Sequence, residues 1–110
     1  MQTITKLEEL NNHCQNNTFV LLYFSSPTCP PCKHLTPFIE AICENFPQIT
    51  FLKINCHSEN EIAPHFEIGA VPVTIYIKND EVAGKVLGGD KEEIMSTIGK
   101  SFGIHLRDNK

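Results

Sequence analysis

The sequence predicts an α/β protein with a central mixed β-sheet, the element order βαβαβαββα and helices on both faces. Three observations carry that expectation. Residues 18–24 are a nearly unbroken apolar run of strand formers, as a central strand covered on both faces requires. Leu35, Phe38, Ile39 and Ile42 recur at helical spacing directly after it. Residues 73–77 and 81–87 read as two strands joined at Asn79-Asp80, a pair that tolerates the positive φ of a tight hairpin turn. Alternating strands and helices make a parallel half, and the closing hairpin adds an antiparallel half.

The elements follow in order. A short first strand is expected at 2–4. A helix is then expected over 6–12, opened by a capping box of Thr5 and Glu8. The central strand at 18–24 gives way to Ser25-Ser26-Pro27-Thr28, and the second helix should start near Pro30 and Pro31, with a kink at Pro37. Residues 49–55 read as a strand, and Ser58 with Glu61 should cap a third, short helix. Asp90 with Glu93 caps a last amphipathic helix carrying Ile94, Met95 and Ile98, expected to fray beyond Gly99. No repeat, low-complexity stretch or Gly/Ser linker interrupts the chain, so residues 1–110 are expected to form a single domain.

The bulk properties exclude several functional classes. A formal charge of −4 with no basic cluster argues against nucleic acid as a partner. There is no basic stretch followed by an apolar leader, and no apolar run approaches the roughly 20 residues of a membrane span. The 5 cysteines, at positions 14, 29, 32, 43 and 56, form one CxxC and three singletons instead of a disulfide framework, which suits a reducing, cytoplasmic compartment.

Cys29-Pro30-Pro31-Cys32 gains chemical meaning from its place at the hand-over from an apolar strand to a helix. A thiol at a helix start faces unpaired backbone N–H groups and the positive end of the helix dipole, which favour thiolate. Cys29 is therefore the expected nucleophile. Cys32 lies about one turn deeper on the same face, placed to attack a mixed disulfide formed by Cys29, and is the expected resolving thiol. Pro30 and Pro31 stiffen the turn without harming the helix, because N-terminal helical positions need no intrahelical N–H partner.

Over about residues 18–98 the chain resembles the thioredoxin family. Cys29-Pro30-Pro31-Cys32-Lys33 looks like the family's redox motif, Pro37 like its helix kink and Lys53-Ile54-Asn55 like its third strand. Residues 63–72, ending Gly69-Ala70-Val71-Pro72, look like the loop to its cis-proline. The resemblance implies a thioredoxin fold and a thiol–disulfide oxidoreductase that reduces protein disulfides through Cys29 and Cys32. It further implies a cis Pro72 packed beside the disulfide, and a Val71 backbone that pairs with an extended client. Thr28, Val71 and Pro72 would form the client surface. The implied partners are disulfide-containing client proteins and a thioredoxin-reductase-like electron donor, and a monomer without a bound cofactor is expected. The chain departs from the family at several positions. Thr28 stands where thioredoxins usually carry Trp, Pro30-Pro31 replaces Gly-Pro, and the chain has no Trp. Tyr23, a much weaker base near neutral pH, replaces the buried Asp that helps move the resolving thiol's proton. A Pro-Pro pair between the cysteines is also seen in tryparedoxins and nucleoredoxins, which use other donors.

The remaining candidates read more plainly. A closed zinc site would need about four ligands, so Cys29 and Cys32 would have to recruit His34, Cys56 or His57. With no second CxxC, no metal is expected. Cys43 and Cys56 read as small core or half-buried residues, and Cys14 as a thiol in a polar loop or at a helix end, open to solvent. Lys33 and His34 read as solvated surface, and Tyr23 as a core residue with a hydrogen-bonded hydroxyl. The competing functional reading is a protein-binding module that uses the Thr28, Val71 and Pro72 surface with little or no redox turnover.

Overall fold

A computed structural model describes residues 1–104. The strands are β1 (Gln2–Thr3), β2 (Phe19–Ser25), β3 (Ile49–Asn55), β4 (Val73–Lys78) and β5 (Glu81–Leu87), and the helices are α1 (Leu7–Asn16), α2 (Pro30–Asn45), α3 (Ile62–His65) and α4 (Lys91–Phe102). They alternate as the sequence predicts, and the five strands form one sheet in the order β1-β3-β2-β4-β5. β1 and β2 both run parallel to β3, whereas β4 is antiparallel to β2 and to β5. Asn79 and Asp80, with φ of 52° and 65°, make the expected hairpin turn.

β2 is the centre of the molecule, and its alternation divides the core in two. Val20, Leu22 and Phe24 face α1 and α3, packing with Ile4, Leu10, Leu52, Ile62 and Ile75. Leu21 and Tyr23 face α2 and α4, packing with Leu35, Ile39, Tyr76, Ile94 and Ile98. Residues 20–24 are all fully buried, which explains why this segment lacks the polar alternation of a half-exposed strand. α2 begins with its two prolines and passes through Pro37 without a break.

The structure corrects the sequence at several element ends. α1 runs to Asn16, not to residue 12, and Glu9 closes its N-terminus in place of the expected Thr5–Glu8 pair. Its Oε1 accepts the Thr5 and Lys6 N–H groups at 3.0 and 3.1 Å. The longer helix carries Cys14 onto its buried face at 6% exposure, so this thiol is not in an open loop. α3 is capped by Asn60, whose Oδ1 accepts the Ile62 and Ala63 N–H groups at 2.9 and 2.7 Å. Ser58 instead donates its hydroxyl to the Asn55 carbonyl, and the Glu61 carboxylate accepts the distant Leu7 N–H. Asp90 caps α4 as expected, accepting from Glu92 and Glu93.

α4 does not fray at Gly99. It continues to Phe102 and stops at Gly103, whose φ of 67° only a glycine adopts freely. Phe102, 2% exposed, anchors that last turn with its ring 5.0 Å from Phe19 and 5.9 Å from Tyr76. Fraying at 105–110 lies outside the described residues. Phe102→Ala should therefore lower unfolding free energy by about 3–5 kcal/mol in a denaturant titration. A change within about 0.5 kcal/mol would mean that the turn is frayed after all.

Candidate active site

The site forms where β2 ends at the carboxyl edge of the parallel strands. From there the chain turns into α2 and then β3 on one side of β2, and later crosses to β4 on the other, which leaves a crevice at this point. Ser26 shapes the turn. Its carbonyl accepts the Cys29 N–H at 3.2 Å, and its hydroxyl accepts the Thr28 N–H at 3.3 Å and pairs with the Thr28 hydroxyl at 3.0 Å. Cys29 is thereby held in extended backbone as the N-cap of α2.

The Cys29 sulfur accepts the Cys32 N–H at 3.2 Å, so a thiol takes the capping role usually filled by a Ser, Thr or Asp oxygen. The same thiol lies 3.7 Å from the Val71 carbonyl, to which it donates. Cys29, Cys32 and Val71, 42 residues away from Cys29, thus meet at one point. The Val71–Pro72 bond is cis, Pro72 is buried, and its carbonyl accepts the Gly88 N–H at 2.9 Å. Thr28 is exposed on the rim of the loop.

The two thiols differ sharply in access. Cys29 is half-buried, whereas Cys32 is only 2% exposed. Burial first, and then the hydrogen bond and like charge of Cys29, push the Cys32 thiol from the ordinary 9.0 to about 11. Beneath Cys32, the buried Tyr23 hydroxyl lies 2.8 Å from the Thr36 hydroxyl and 3.2 Å from the Cys32 carbonyl, and Thr36 donates to that carbonyl at 2.9 Å. Sequence reasoning missed Thr36. Its signal is a hydroxyl four residues after Cys32 on a helix, the spacing that returns a side chain to the preceding turn's carbonyl.

The other candidates are scattered. Lys33 and His34 are exposed on α2, and Cys43 is half-buried at the edge of the core. Cys56 is half-buried and lines a cavity of about 250 Å³ with Ser26, His57 and Val71. Among the described residues no three His, Cys, Asp or Glu side chains gather to hold a metal.

Comparison with known proteins decides the family. The thioredoxin family model matches residues 2–100. The chain belongs to the thioredoxin family. It is 30% identical over 93 residues to thioredoxin H1 of Arabidopsis thaliana, which covers 84% of this chain and 82% of that one. It is also 29% identical over 105 residues to a peptide-N(4)-(N-acetyl-beta-glucosaminyl)asparagine amidase of Caenorhabditis briggsae, a longer protein of which the match covers 17%. Among solved structures, Plasmodium falciparum thioredoxin superposes with a TM-score of 0.84 at 23% identity, covering 91% of this chain and 98% of that one. The fold is thus the thioredoxin fold, and the activity is that of a thiol–disulfide oxidoreductase, with Cys29 and Cys32 adjacent as a dithiol.

The raised thiols also set an alkaline limit on stability. Burial lifts Cys14, as well as Cys32, to about 11. A raised folded-state value keeps the proton on the native thiol while the unfolded chain loses its own, so this contribution is complete below 9.0 and is lost as pH rises towards 11. Urea unfolding across that range should show a falling midpoint, and Cys14→Ala should make the fall shallower. An equal slope in the variant would exclude Cys14 as a source.

Proposed function

We propose that Cys29-Pro30-Pro31-Cys32 is the redox motif, with Cys29 as the attacking thiol and Cys32 as the resolving one. The observation that carries this reading is the position of the Cys29 sulfur: half-exposed, capping α2 through the Cys32 N–H and beside the Val71 carbonyl. The Cys29 thiolate attacks one sulfur of a client disulfide, forming a mixed disulfide and releasing one client thiolate. Cys32 then loses its proton to solvent and attacks the Cys29 sulfur, expelling the second client thiolate and leaving a Cys29–Cys32 disulfide. The client gains two electrons and the dithiol loses two. A thioredoxin-reductase-like donor returns them, which makes the protein a carrier in electron transport and cell redox homeostasis.

Clients are proteins with an accessible disulfide. An extended segment lies along Val71, beside Pro72, with Thr28 on the opposite rim. Support comes from the Val71 backbone at the reactive sulfur and from the groove of about 460 Å³ that continues past Pro72 to Leu87. The chain acts as one domain and as a monomer in the cytoplasm. That reading draws on the cysteine usage, the likeness to H-type thioredoxins and the fact that no described helix is long and apolar enough to cross a membrane.

Cys29→Ser should abolish reduction of a disulfide-bonded protein substrate, measured with a reductase as electron source. Cys32→Ser should leave the first attack intact and hold the substrate as a mixed disulfide that non-reducing electrophoresis detects. Turnover by the Cys29→Ser protein would overturn the assignment of the nucleophile, and absence of the trapped species would overturn that of the resolving thiol.

A further inference from the structure

The hydroxyl cluster beneath the helix has no part in the exchange chemistry, yet it touches the backbone of one of the two reacting residues. Tyr23 is fully buried on β2, and its O–H reaches Thr36 Oγ1 at 2.8 Å and the Cys32 carbonyl at 3.2 Å. Thr36 Oγ1 closes the triangle at 2.9 Å from the same carbonyl. Neither hydroxyl bonds to the Cys32 sulfur. Burial raises the Tyr23 hydroxyl above its ordinary value, so it stays a donor at neutral pH. Cys32 is consequently held at both ends of its backbone: its N–H points at the Cys29 sulfur, and its carbonyl is tied through Tyr23 to the central strand. The ties act in the first turn of α2, ahead of Pro37, which gives the helix no N–H donor.

We propose that Tyr23 and Thr36 are positioning residues for the resolving step: they hold Cys32 at the depth and angle from which its sulfur reaches Cys29, without taking its proton. This rests on the reading of Cys32 as the resolving thiol. Loss of the clamp leaves the approach of Cys29 to a client unaltered and slows closure of the internal disulfide, because a misplaced attacking atom loses rate steeply.

The test is stopped-flow reaction of the reduced protein with one equivalent of 5,5′-dithiobis(2-nitrobenzoate). Cys29 attack releases one thionitrobenzoate and leaves the other bound as a mixed disulfide. Attack by Cys32 on Cys29 releases the second, with acid quench and mass analysis placing the intermediate on Cys29. Tyr23→Phe keeps the ring in the core and removes only the oxygen. It should change the first phase less than about twofold and slow the second about three- to tenfold, the range that one lost hydrogen bond supplies. Thr36→Val, at a half-buried position, should do the same, and the double variant should add little to either. An unchanged second phase in both single variants, or equal slowing of both phases, would overturn the inference. Wild-type protein that stops after one release would instead overturn the role of Cys32 on which it rests.

Discussion

The hydrogen bond from the Cys32 amide to the Cys29 sulfur, 3.2 Å long, closes the first turn of α2 and fixes where both thiols stand. It exists because β2 delivers the chain to that point rigidly. Five consecutive residues, 20–24, are fully buried between the two helical layers, and the strand is paired on both sides by β3 and β4. A strand held in this way cannot slip by one residue without turning both cores inside out. The Ser26 turn that follows therefore starts from a fixed place, and Cys29 arrives at the helix start with its sulfur in the capping position.

That constraint separates two chemically identical side chains. Capping puts Cys29 at the surface, and one helical turn carries Cys32 beneath it to 2% exposure. The buried thiol keeps its proton to about 11, while access falls to the other. Of the two sulfurs, that of Cys29 is the more accessible. The Val71 carbonyl completes the arrangement from the far side of the crevice, just ahead of β4.

Tyr23 shows how a departure at one position is absorbed. A tyrosine on the inner face of β2 brings more volume than a carboxylate and places its oxygen farther from the strand. The ring fills core space with Leu35 and Ile39, and the hydroxyl reaches the Cys32 carbonyl and Thr36. No buried side-chain polar atom among the described residues lacks a partner, so the substitution leaves no unsatisfied group beneath the active site.

Much of this could be read from the amino acids in order. The unbroken apolar run of β2, the helical spacing of Leu35, Ile39 and Ile42, and the turn at Asn79-Asp80 are local patterns with local physical causes, and they specified the alternating fold. The pair Cys29 and Cys32 was legible for the same reason, since a strand-to-helix junction is itself a sequence pattern. Boundaries set by distant contacts were not. Whether α4 stops at Gly99 or continues depends on Phe102 meeting Phe19 and Tyr76, and Cys14 is buried because α1 continues against the sheet. The expected cap of Ser58 with Glu61 gave way to Asn60, while the Glu61 carboxylate accepts the Leu7 N–H from 54 residues away. The sequence by itself determined the element order and the pairing of Cys29 with Cys32 at the strand-to-helix junction. The tertiary structure decided the contacts around them, because the Val71 carbonyl meets the Cys29 sulfur, and the Tyr23 hydroxyl meets Thr36 and the Cys32 carbonyl, through packing that no local spacing encodes.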